Sequence, residues 1–416
     1  MFFTFTVVAV WWTLCLLSAR MVADLVRKNE VDLDTGADWF FRQTYWLRWL
    51  SLALVVLCIG GFGFGRNSID VHDGMFVQAT KLLLPAVAML GGLWLSEHRF
   101  GVHLGWSKNG IRAGLSHLFS SARISVGWLI LPVLTLLGIL DLVAIAERAG
   151  FEIPTGILVC GGAVLAIGFS LIGLPIVIRI FFPSEPVEDA LEGWLREITD
   201  ATGLHRCQIA CWNTQGRCFN AMIVGAMGRF RLMLLSDRLL KELSRQSLAM
   251  VVLHEIAHAK RFHVAIRMIA VFGAWSLGLV SQLFLESIIP ELESWSAALG
   301  TGVSLGSTFL TLRIVSHWIE FDADRTACQL AARISSSIAR HFSPSANSPK
   351  PHSCTEIPVS EIEARRVLAR ALRQVTEESP QSANRSWLHP SIQDRVTRLE
   401  DFRATSRSLA HPGAGT

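Results

Sequence analysis

Long apolar segments constrain the fold of this chain more than any other sequence feature. Seven stretches approach the ~20 residues that an α-helix needs to cross a hydrocarbon core of ~30 Å. Charged residues make up 17% of the chain, against about 25% in ordinary soluble proteins. The sequence therefore predicts a multi-pass membrane protein. The seven predicted spans are approximately Phe2–Leu25, Leu50–Phe64, Met75–Leu95, Ile124–Ala146, Ile157–Ile180, Val264–Leu285 and Trp295–Val315.

Two of these spans have an alternative interpretation. The second is short, and the seventh is rich in Gly, Ser and Thr, which suits close helix packing inside a bundle. Either could instead be a buried core helix or hairpin. The first apolar run has no basic segment ahead of it, so it is predicted to be a retained span and not a cleaved signal peptide. A net charge of +4 is too small to indicate a nucleic-acid partner.

Lys and Arg in the short loops predict the orientation of the spans. They are concentrated after the first and third spans and are sparse after the second, fourth and sixth. Because positive loops stay on the cytoplasmic side, the N-terminus is predicted to lie outside. The two large polar regions, Pro183–Phe262 and Ser316 onward, are then both cytoplasmic.

The polar regions have their own predicted elements. An amphipathic helix over Pro186–Thr202 places Leu191, Trp194, Leu195 and Ile198 on one face. Ser244 is the predicted N-cap of the next helix. A small antiparallel sheet is predicted from the strands Cys207–Trp212, Phe219–Val224 and Phe230–Leu235. Helices are predicted later in the chain, around His317–Ala332, Ser360–Arg373 and Ser391–Arg403, with a flexible loop over Ser343–Pro358.

His254-Glu255-Ile256-Ala257-His258 is the strongest chemical signal in the sequence. Residues four apart lie on one helix face, so both imidazoles can bind one Zn²⁺ at about 2.0–2.1 Å. Glu255 projects beside them, where it can take a proton from a water that the metal activates. The motif alone is weak, but a long apolar helical pattern precedes it and a predicted span follows it. The alternative is a surface helix with two solvated histidines.

A catalytic zinc needs a third protein ligand. His263 lies five residues after His258, which turns it away from the ligand face, and no glycine intervenes to bend the chain back. Glu320, in Glu320-Phe321-Asp322-Ala323-Asp324, is a more plausible ligand. Asp324 lies one turn beyond Glu320 and can accept a proton from a ligand imidazole. A solvated acidic helix start is the alternative for this cluster.

From about Val187 to the C-terminus, these motifs resemble the integral-membrane gluzincin metallopeptidases. That family includes the type I CAAX prenyl proteases and the HtpX heat-shock proteases. Further stretches are similar to the family's signatures, namely Asn220-Ala221 with Gly225, His389-Pro390 with Asp394-Arg395, and Lys260 with His263. Ala257 replaces the usual glycine, and Met222-Ile223 departs from the usual aromatic and small residues, which leaves the shape of the substrate groove open.

The resemblance implies a role for each matching residue. The implied zinc ligands are His254, His258 and Glu320, with one zinc per chain. Glu255 is the implied catalytic base, and Asp324 supports a ligand from behind. His389 is a candidate hydrogen-bond donor to the developing oxyanion. Asn220 and Ala221 belong to the strand that is expected to bind substrate.

The expected fold is a membrane α-helical bundle of about seven spans with a cytoplasmic α+β zincin-type metalloprotease domain built from two segments. Residues 1–182 form a membrane region with five spans, and residues 183–263 form the first part of the protease domain. Residues 264–315 form a two-span hairpin, and residues 316–416 complete the domain. Five spans before the zinc helix and two after it favour the prenyl protease arrangement over the HtpX one.

The expected function is zinc-dependent hydrolysis of membrane-associated or unfolded polypeptides in contact with the lipid bilayer, without a nucleic-acid partner. CAAX-type maturation and HtpX-type quality control both remain open. An alternative from another class is a catalytically silent membrane receptor or scaffold with a structural zinc. Structural sites usually complete four ligands with Cys or His, and no such fourth ligand is obvious in the sequence.

Overall fold

Apolar helices make up the first of two units into which the chain divides, Met1–Leu165 with Ile180–Phe182. The computed structural model describes residues 2–61, 73–151, 154, 157, 161, 169–214, 216, 219–225, 230–288, 293–341, 357–378 and 389–409. The described helices of this unit are α1 (Phe2–Arg27), α2 (Leu33–Val56), α3 (Met75–His103), α4 (Ile111–Ala122) and α5 (Trp128–Arg148). Helix α6 (Leu174–Phe181) follows them in sequence, and its residues up to Arg179 belong to the second unit.

Three described helices are long and apolar enough to cross a membrane, judged by length and composition alone: Phe3–Arg27, Met75–His103 and His263–Ile288. They correspond to the first, third and sixth predicted spans. Helix α5 overlaps the fourth prediction but is not among the three. The end of the second predicted span and most of the fifth lie outside the described residues. The seven-span count therefore remains a prediction.

Helix α1 is attached to α3 by two indoles. The Nε1–H groups of Trp11 and Trp12 donate to the carbonyl oxygens of Met89 and Ala88, at 2.9 and 2.7 Å. An indole N–H in apolar surroundings needs an acceptor. The two bonds join residues of different helices that are 78 and 76 positions apart in sequence. The contact therefore fixes the pairing of the two helices.

Asp141 is an acidic residue within the apolar helix α5, and its contacts identify a structural role. Its carboxylate accepts hydrogen bonds from the backbone N–H groups of Met75 and Phe76, at 2.6 and 2.8 Å. The first N–H groups of a helix have no partner within the helix, and the positive end of the helix dipole favours an anion. Asp141 therefore caps α3 from a neighbouring helix.

The second unit, Ala166–Arg179 with Pro183–Thr416, contains a four-stranded sheet. Its strands are β1 (Ser184–Glu185), β2 (Gln208–Trp212), β3 (Ala221–Val224) and β4 (Leu232–Ser236), in the order β1-β2-β4-β3. The prediction of an antiparallel sheet is wrong in one pairing. Strand β4 inserts between β2 and β3, and it runs parallel to β2 and antiparallel to β3. Strand β3 is consequently an edge strand.

Within the described residues, six helices contribute with this sheet to one hydrophobic core: α7 (Asp189–Ala201), α8 (Asp237–Glu242), α9 (Arg245–Lys260), α11 (Glu293–His341), α12 (Glu361–Glu378) and α13 (Ile392–Leu409). Helix α8 is short and follows β4. The amphipathic prediction for α7 is confirmed, since its predicted apolar face is buried in this core: Leu191, Trp194, Leu195 and Ile198. The predicted C-terminal helices are observed as α12 and α13, and the predicted loop before them lies almost entirely outside the described residues.

Helices α10 (His263–Ile288) and α11 form a closely packed pair. A Cβ atom on Gly278 would lie 2.5 Å from the Gly300 carbonyl oxygen, and one on Gly300 would lie 2.9 Å from the Gly278 oxygen. The small residues thus allow the backbones to approach, as predicted for the seventh span. The helix predicted to start near His317 is the continuation of α11, which runs unbroken for 49 residues and carries both the apolar segment and Glu320.

Candidate metal centre

Helix α9 presents the two histidines of the motif. The hydroxyl oxygen of Ser244 accepts from the Ser247 N–H at 3.2 Å, which caps the helix start as predicted. Nine residues of α9 are buried, His254 among them, which fixes the helix rotation. His254 and His258 lie one turn apart, and their Nε2 atoms are 3.1 Å from each other. Two ring nitrogens therefore converge on one point.

Helix α11 brings a carboxylate to the same point. Glu320 Oε2 lies 3.4 Å from His254 Nε2, and Glu320 Oε1 lies 3.8 Å from His258 Nε2. The Glu320 side chain is only 5% exposed. Among the described residues, these three form the one group of His, Cys, Asp or Glu side chains that could hold a metal ion.

The donor set fits zinc. Tetrahedral bonds of about 2.0–2.1 Å would place neighbouring donor atoms roughly 3.3 Å apart. The observed separations of 3.1, 3.4 and 3.8 Å are close to that value. Two imidazoles and one carboxylate are also a ligand combination that catalytic zinc uses. The residues can accept the ion with little rearrangement.

An acidic residue and an arginine lie behind His254. Asp324 Oδ1 is 2.9 Å from His254 Nδ1, which leaves Nε2 facing the metal position. Arg395 donates to both oxygens of Asp324, from Nε at 2.9 Å and from Nη2 at 2.6 Å. All three side chains are buried or nearly so, since their exposed fractions are 9%, 4% and 12%. Asp324 thus holds the His254 ring in the tautomer that metal binding requires.

His263 is outside the donor set, as predicted, but it does not turn away from His258. Helix α9 ends at Lys260, and Phe262 adopts a left-handed conformation with φ of +54°. This non-glycine residue bends the chain back, a change of direction that was expected only of glycine. His263 Nδ1 consequently lies 2.9 Å from Nδ1 of His258, on the side opposite the metal position. His263 is therefore in contact with a candidate ligand without joining the donor set.

The charges around the site shift the pKa of each candidate ligand. Burial opposes a charge on His254, but its bonds to Asp324 and Glu320 outweigh burial and raise the pKa of His254 to about 9. Burial and the neighbouring positive His254 lower the pKa of His258 to about 2. For Glu320, burial would raise the pKa, but bonds from His254 and His389 hold it well below its usual range. The raised pKa of His254 favours its protonated form below about pH 9.

We expect zinc binding near pH 8 to release a proton from His254, in addition to any proton lost by the water on the metal, because His254 is protonated there and a ligand imidazole must be neutral. The share released by His254 should decline as the pH rises through about 9, the pKa of His254. Titration calorimetry in buffers of different ionisation enthalpy measures the number of protons released. Asp324→Asn removes a cause of the raised pKa and should reduce the release. An unchanged proton count between about pH 8 and pH 10 would contradict the assignment.

Glu255 lies next to the donor set without belonging to it. Burial raises the pKa of Glu255 to about 7. The positive charge of His254 and a hydrogen bond from the Ile223 backbone N–H act in the opposite direction and lower this pKa, but burial outweighs them. Ile223 is in the edge strand β3, so that strand runs directly beside the carboxylate. A buried carboxylate with a pKa near neutrality can accept and return a proton at working pH.

Of the remaining predicted residues, one contacts Glu320 and two lie at the start of strand β3. His389 is exposed, and its Nδ1 is 3.1 Å from Glu320 Oε1. Asn220 directly precedes β3 and pairs with Ser236, whose backbone N–H donates to the Asn220 carbonyl at 2.9 Å. Ala221 is the first residue of β3 and is half-buried. The Asn220 backbone N–H also donates to the Ser236 hydroxyl oxygen, at 3.1 Å.

Sequence reasoning missed three residues with direct contacts to this site. The sequence indicates Arg395 only as part of the family's C-terminal signature, whereas in the structure it donates to Asp324. Asp322 accepts from His263, and Arg267 Nη2 lies 3.5 Å from Glu320 Oε1. Asp322 could have been found from the sequence, because it is a charged residue only two positions after the predicted ligand Glu320. No local pattern indicates a pairing such as that of Arg395 with Asp324, which are 71 residues apart.

A histidine pair on one helix, a glutamate from a distant helix and an unligated carboxylate beside them define a zincin-type metallopeptidase site. A protein-family model described as peptidase family M48 matches residues 195–403, slightly more than half of the chain. The chain belongs to peptidase family M48. This assignment confirms the resemblance to the membrane gluzincins and makes the protein a metalloprotease.

The fold also has a relative among solved structures. The crystal structure of S. mikatae Ste24p is similar with a TM-score of 0.52, and the match covers 96% of this chain and 97% of that chain. The two sequences are 16% identical, so the similarity concerns the fold. A search of curated proteins found no significant match.

Proposed function

We propose that the chain is an integral-membrane zinc endopeptidase in which His254, His258 and Glu320 hold the metal and Glu255 is the catalytic base. The observation that supports this most is the placement of the Glu255 carboxylate, which lies outside the three-residue donor set and has a pKa of about 7. A carboxylate there has no role in a purely structural site. Three protein ligands are also the number that catalytic zinc sites use.

The residues divide the chemistry among them. When bound, zinc lowers the pKa of a water toward ~7 and polarises the scissile carbonyl. Glu255 takes the proton from the attacking water and passes it to the leaving amine. His389, exposed beside Glu320, is positioned to donate a hydrogen bond to the developing oxyanion. Asp324 and Arg395 keep the His254 ring oriented through both steps.

The edge strand β3 is the proposed substrate platform. One of its sides pairs with β4, and the Ile223 backbone N–H faces Glu255 on the other side. A polypeptide segment could therefore add as a strand through main-chain hydrogen bonds, and this would bring a peptide bond next to the base. Asn220 and Ala221 lie at the start of this strand. Such binding selects extended, unfolded segments with modest side-chain preference.

The topology proposed from the sequence supports membrane-associated substrates. Seven spans, with the N-terminus outside and both protease segments in the cytoplasm, would place the site close to the bilayer, since the apolar helix α10 starts five residues after His258. The four-part division at residues 182, 263 and 315 belongs to the same proposal. The arrangement of five spans and then two favours a prenyl-protease-like enzyme over a quality-control protease.

The test is hydrolysis by the purified full-length protein in detergent or nanodiscs. We expect the zinc-loaded protein to cut unfolded model proteins or C-terminally lipidated peptides. A chelator should abolish cleavage, and added zinc should restore it. Preference for lipidated over unmodified peptides would support the CAAX-type function, and the reverse would support quality control. If zinc-loaded protein cuts nothing across both substrate classes, the silent-receptor function is favoured.

A further inference from the structure

Within the described part of the chain, no carboxylate lies directly behind His258, in contrast to His254. Its Nδ1 faces His263 Nδ1 at 2.9 Å, and His263 Nε2 faces Asp322 Oδ2 at 3.0 Å. Arg261 closes the series by donating to both oxygens of Asp322, at 2.8 and 3.3 Å. A second imidazole is thus interposed between a candidate zinc ligand and its carboxylate.

The proton positions in this series follow from hydrogen-bond chemistry. A neutral imidazole carries a proton on one nitrogen and accepts on the other. If Nε2 of His258 faces the metal, its Nδ1 carries the proton and donates to Nδ1 of His263. His263 then has its own proton on Nε2 and donates it to the ionised Asp322. Each bond in the series therefore fixes the tautomer of the next ring.

We propose that His263 and Asp322 are positioning residues that hold His258 in its metal-binding tautomer and orientation; the proposal rests on the zinc site proposed above. Partners of this kind contribute to metal affinity as well as to orientation. The pair acts through His258 and is outside the donor set.

The surroundings of His263 suit a fixed ring. The side chain is 1% exposed, and the ring lies 6.3 Å from the Trp318 ring in an edge-on arrangement. The left-handed Phe262 sets the direction in which His263 leaves the end of α9. The contacts behind His254 and those behind His258 thus end in the same kind of pair, a carboxylate that accepts two hydrogen bonds from one arginine. The pairs are Asp324 with Arg395 and Asp322 with Arg261.

A buried histidine that only stabilises the fold is the competing interpretation. Both interpretations predict a loss of stability on substitution, but only positioning predicts a change in the metal centre of correctly folded protein. The chain also offers a matched control in His205, whose Nδ1 lies 3.2 Å from Asp200 Oδ1 on the surface, with 72% of the histidine side chain exposed.

The test compares His263→Ala, His263→Gln, Asp322→Asn and His205→Ala, all as full-length protein in detergent. Zn²⁺ affinity is measured by competition with a chelator, on fractions that elute as the wild type does. We expect His263→Ala to bind zinc about 10–100-fold more weakly. His263→Gln, whose amide offers a donor and an acceptor, should recover part of this loss. Asp322→Asn should lose less than His263→Ala, and His205→Ala should match the wild type.

The visible absorption spectrum of Co²⁺-substituted protein is a second measurement, and a change in folding stability alone does not alter it. In Co²⁺-substituted protein the visible absorption bands should shift in His263→Ala and stay unchanged in His205→Ala. Wild-type zinc affinity and an unchanged cobalt spectrum in folded His263→Ala would overturn the positioning role while leaving the proposed function intact. If the wild type itself binds no zinc, the proposed function fails first.

Discussion

Glu255→Gln should keep its zinc and lose peptide hydrolysis. Glu255 is outside the metal donor set, so the substitution leaves the three candidate ligands in place. Glutamine has nearly the same shape, and its amide oxygen can still accept from the Ile223 N–H. The amide cannot take a proton from water, however, and positioned acid–base catalysis is worth about 10²–10⁴-fold. Because one carboxylate serves both proton transfers, we expect activity close to background.

The comparison requires zinc content and cleavage to be measured on the same preparations. Glu255→Gln should contain about one zinc per chain, as the wild type should. His254→Ala should lose both metal and activity, which makes it the matched control. Full cleavage by zinc-loaded Glu255→Gln would mean that another group is the base. Loss of zinc from Glu255→Gln would instead assign the carboxylate to the metal.

Arg395→Met should be among the most destabilising single substitutions in the second unit. The guanidinium is 12% exposed and donates to both oxygens of Asp324, which is itself 4% exposed. Removal of the arginine leaves the buried carboxylate with His254 as its remaining partner, and breaking a buried pair in this way costs about 3–5 kcal/mol. Methionine retains much of the side-chain volume, so the loss reports mainly on charge. Thermal unfolding of the purified protein in detergent measures the effect.

The surface pair of Arg373 with Glu400 is the control for this prediction. The Nη2–Oε1 distance is 2.6 Å, as in the buried pair, but both side chains are 50% exposed. Exposed pairs contribute about 0–1 kcal/mol, so Arg373→Met should lower the melting temperature only slightly. Adding Asp324→Asn to Arg395→Met should recover part of the loss, because the buried charge is removed. Equal effects of Arg395→Met and Arg373→Met would contradict the account of the buried pair.

The parts of the site that are local in sequence could be predicted. The i, i+4 spacing of His254 and His258 places both rings on one helix face wherever the helix lies. The Ser244 cap and the apolar face of α7 follow from residue type and periodicity alone. The sequence indicates Glu320 because it is a carboxylate with a second acid one turn later, and the structure brings it to the two histidines.

The parts that depend on backbone direction could not be predicted. His263 reaches His258 only because Phe262 adopts a positive φ, which non-glycine residues seldom do and which residue type does not indicate. The parallel pairing of β2 with β4 joins segments with β3 between them in sequence. The pairing of Arg395 with Asp324 depends on the packing of α13 against α11. In each case tertiary packing determines a contact that local propensity leaves open.

Anomalous scattering at the zinc absorption edge, from crystals of the full-length protein, tests the metal centre most directly. We predict a single peak bounded by Nε2 of His254, Nε2 of His258 and the Glu320 carboxylate, with bonds of about 2.0–2.2 Å. Glu255→Gln crystals should show the same peak, and Glu320→Ala crystals should lose most of it. A peak held by other side chains, or none in protein that cuts peptides in a chelator-sensitive way, would contradict the assignment of the metalloprotease site.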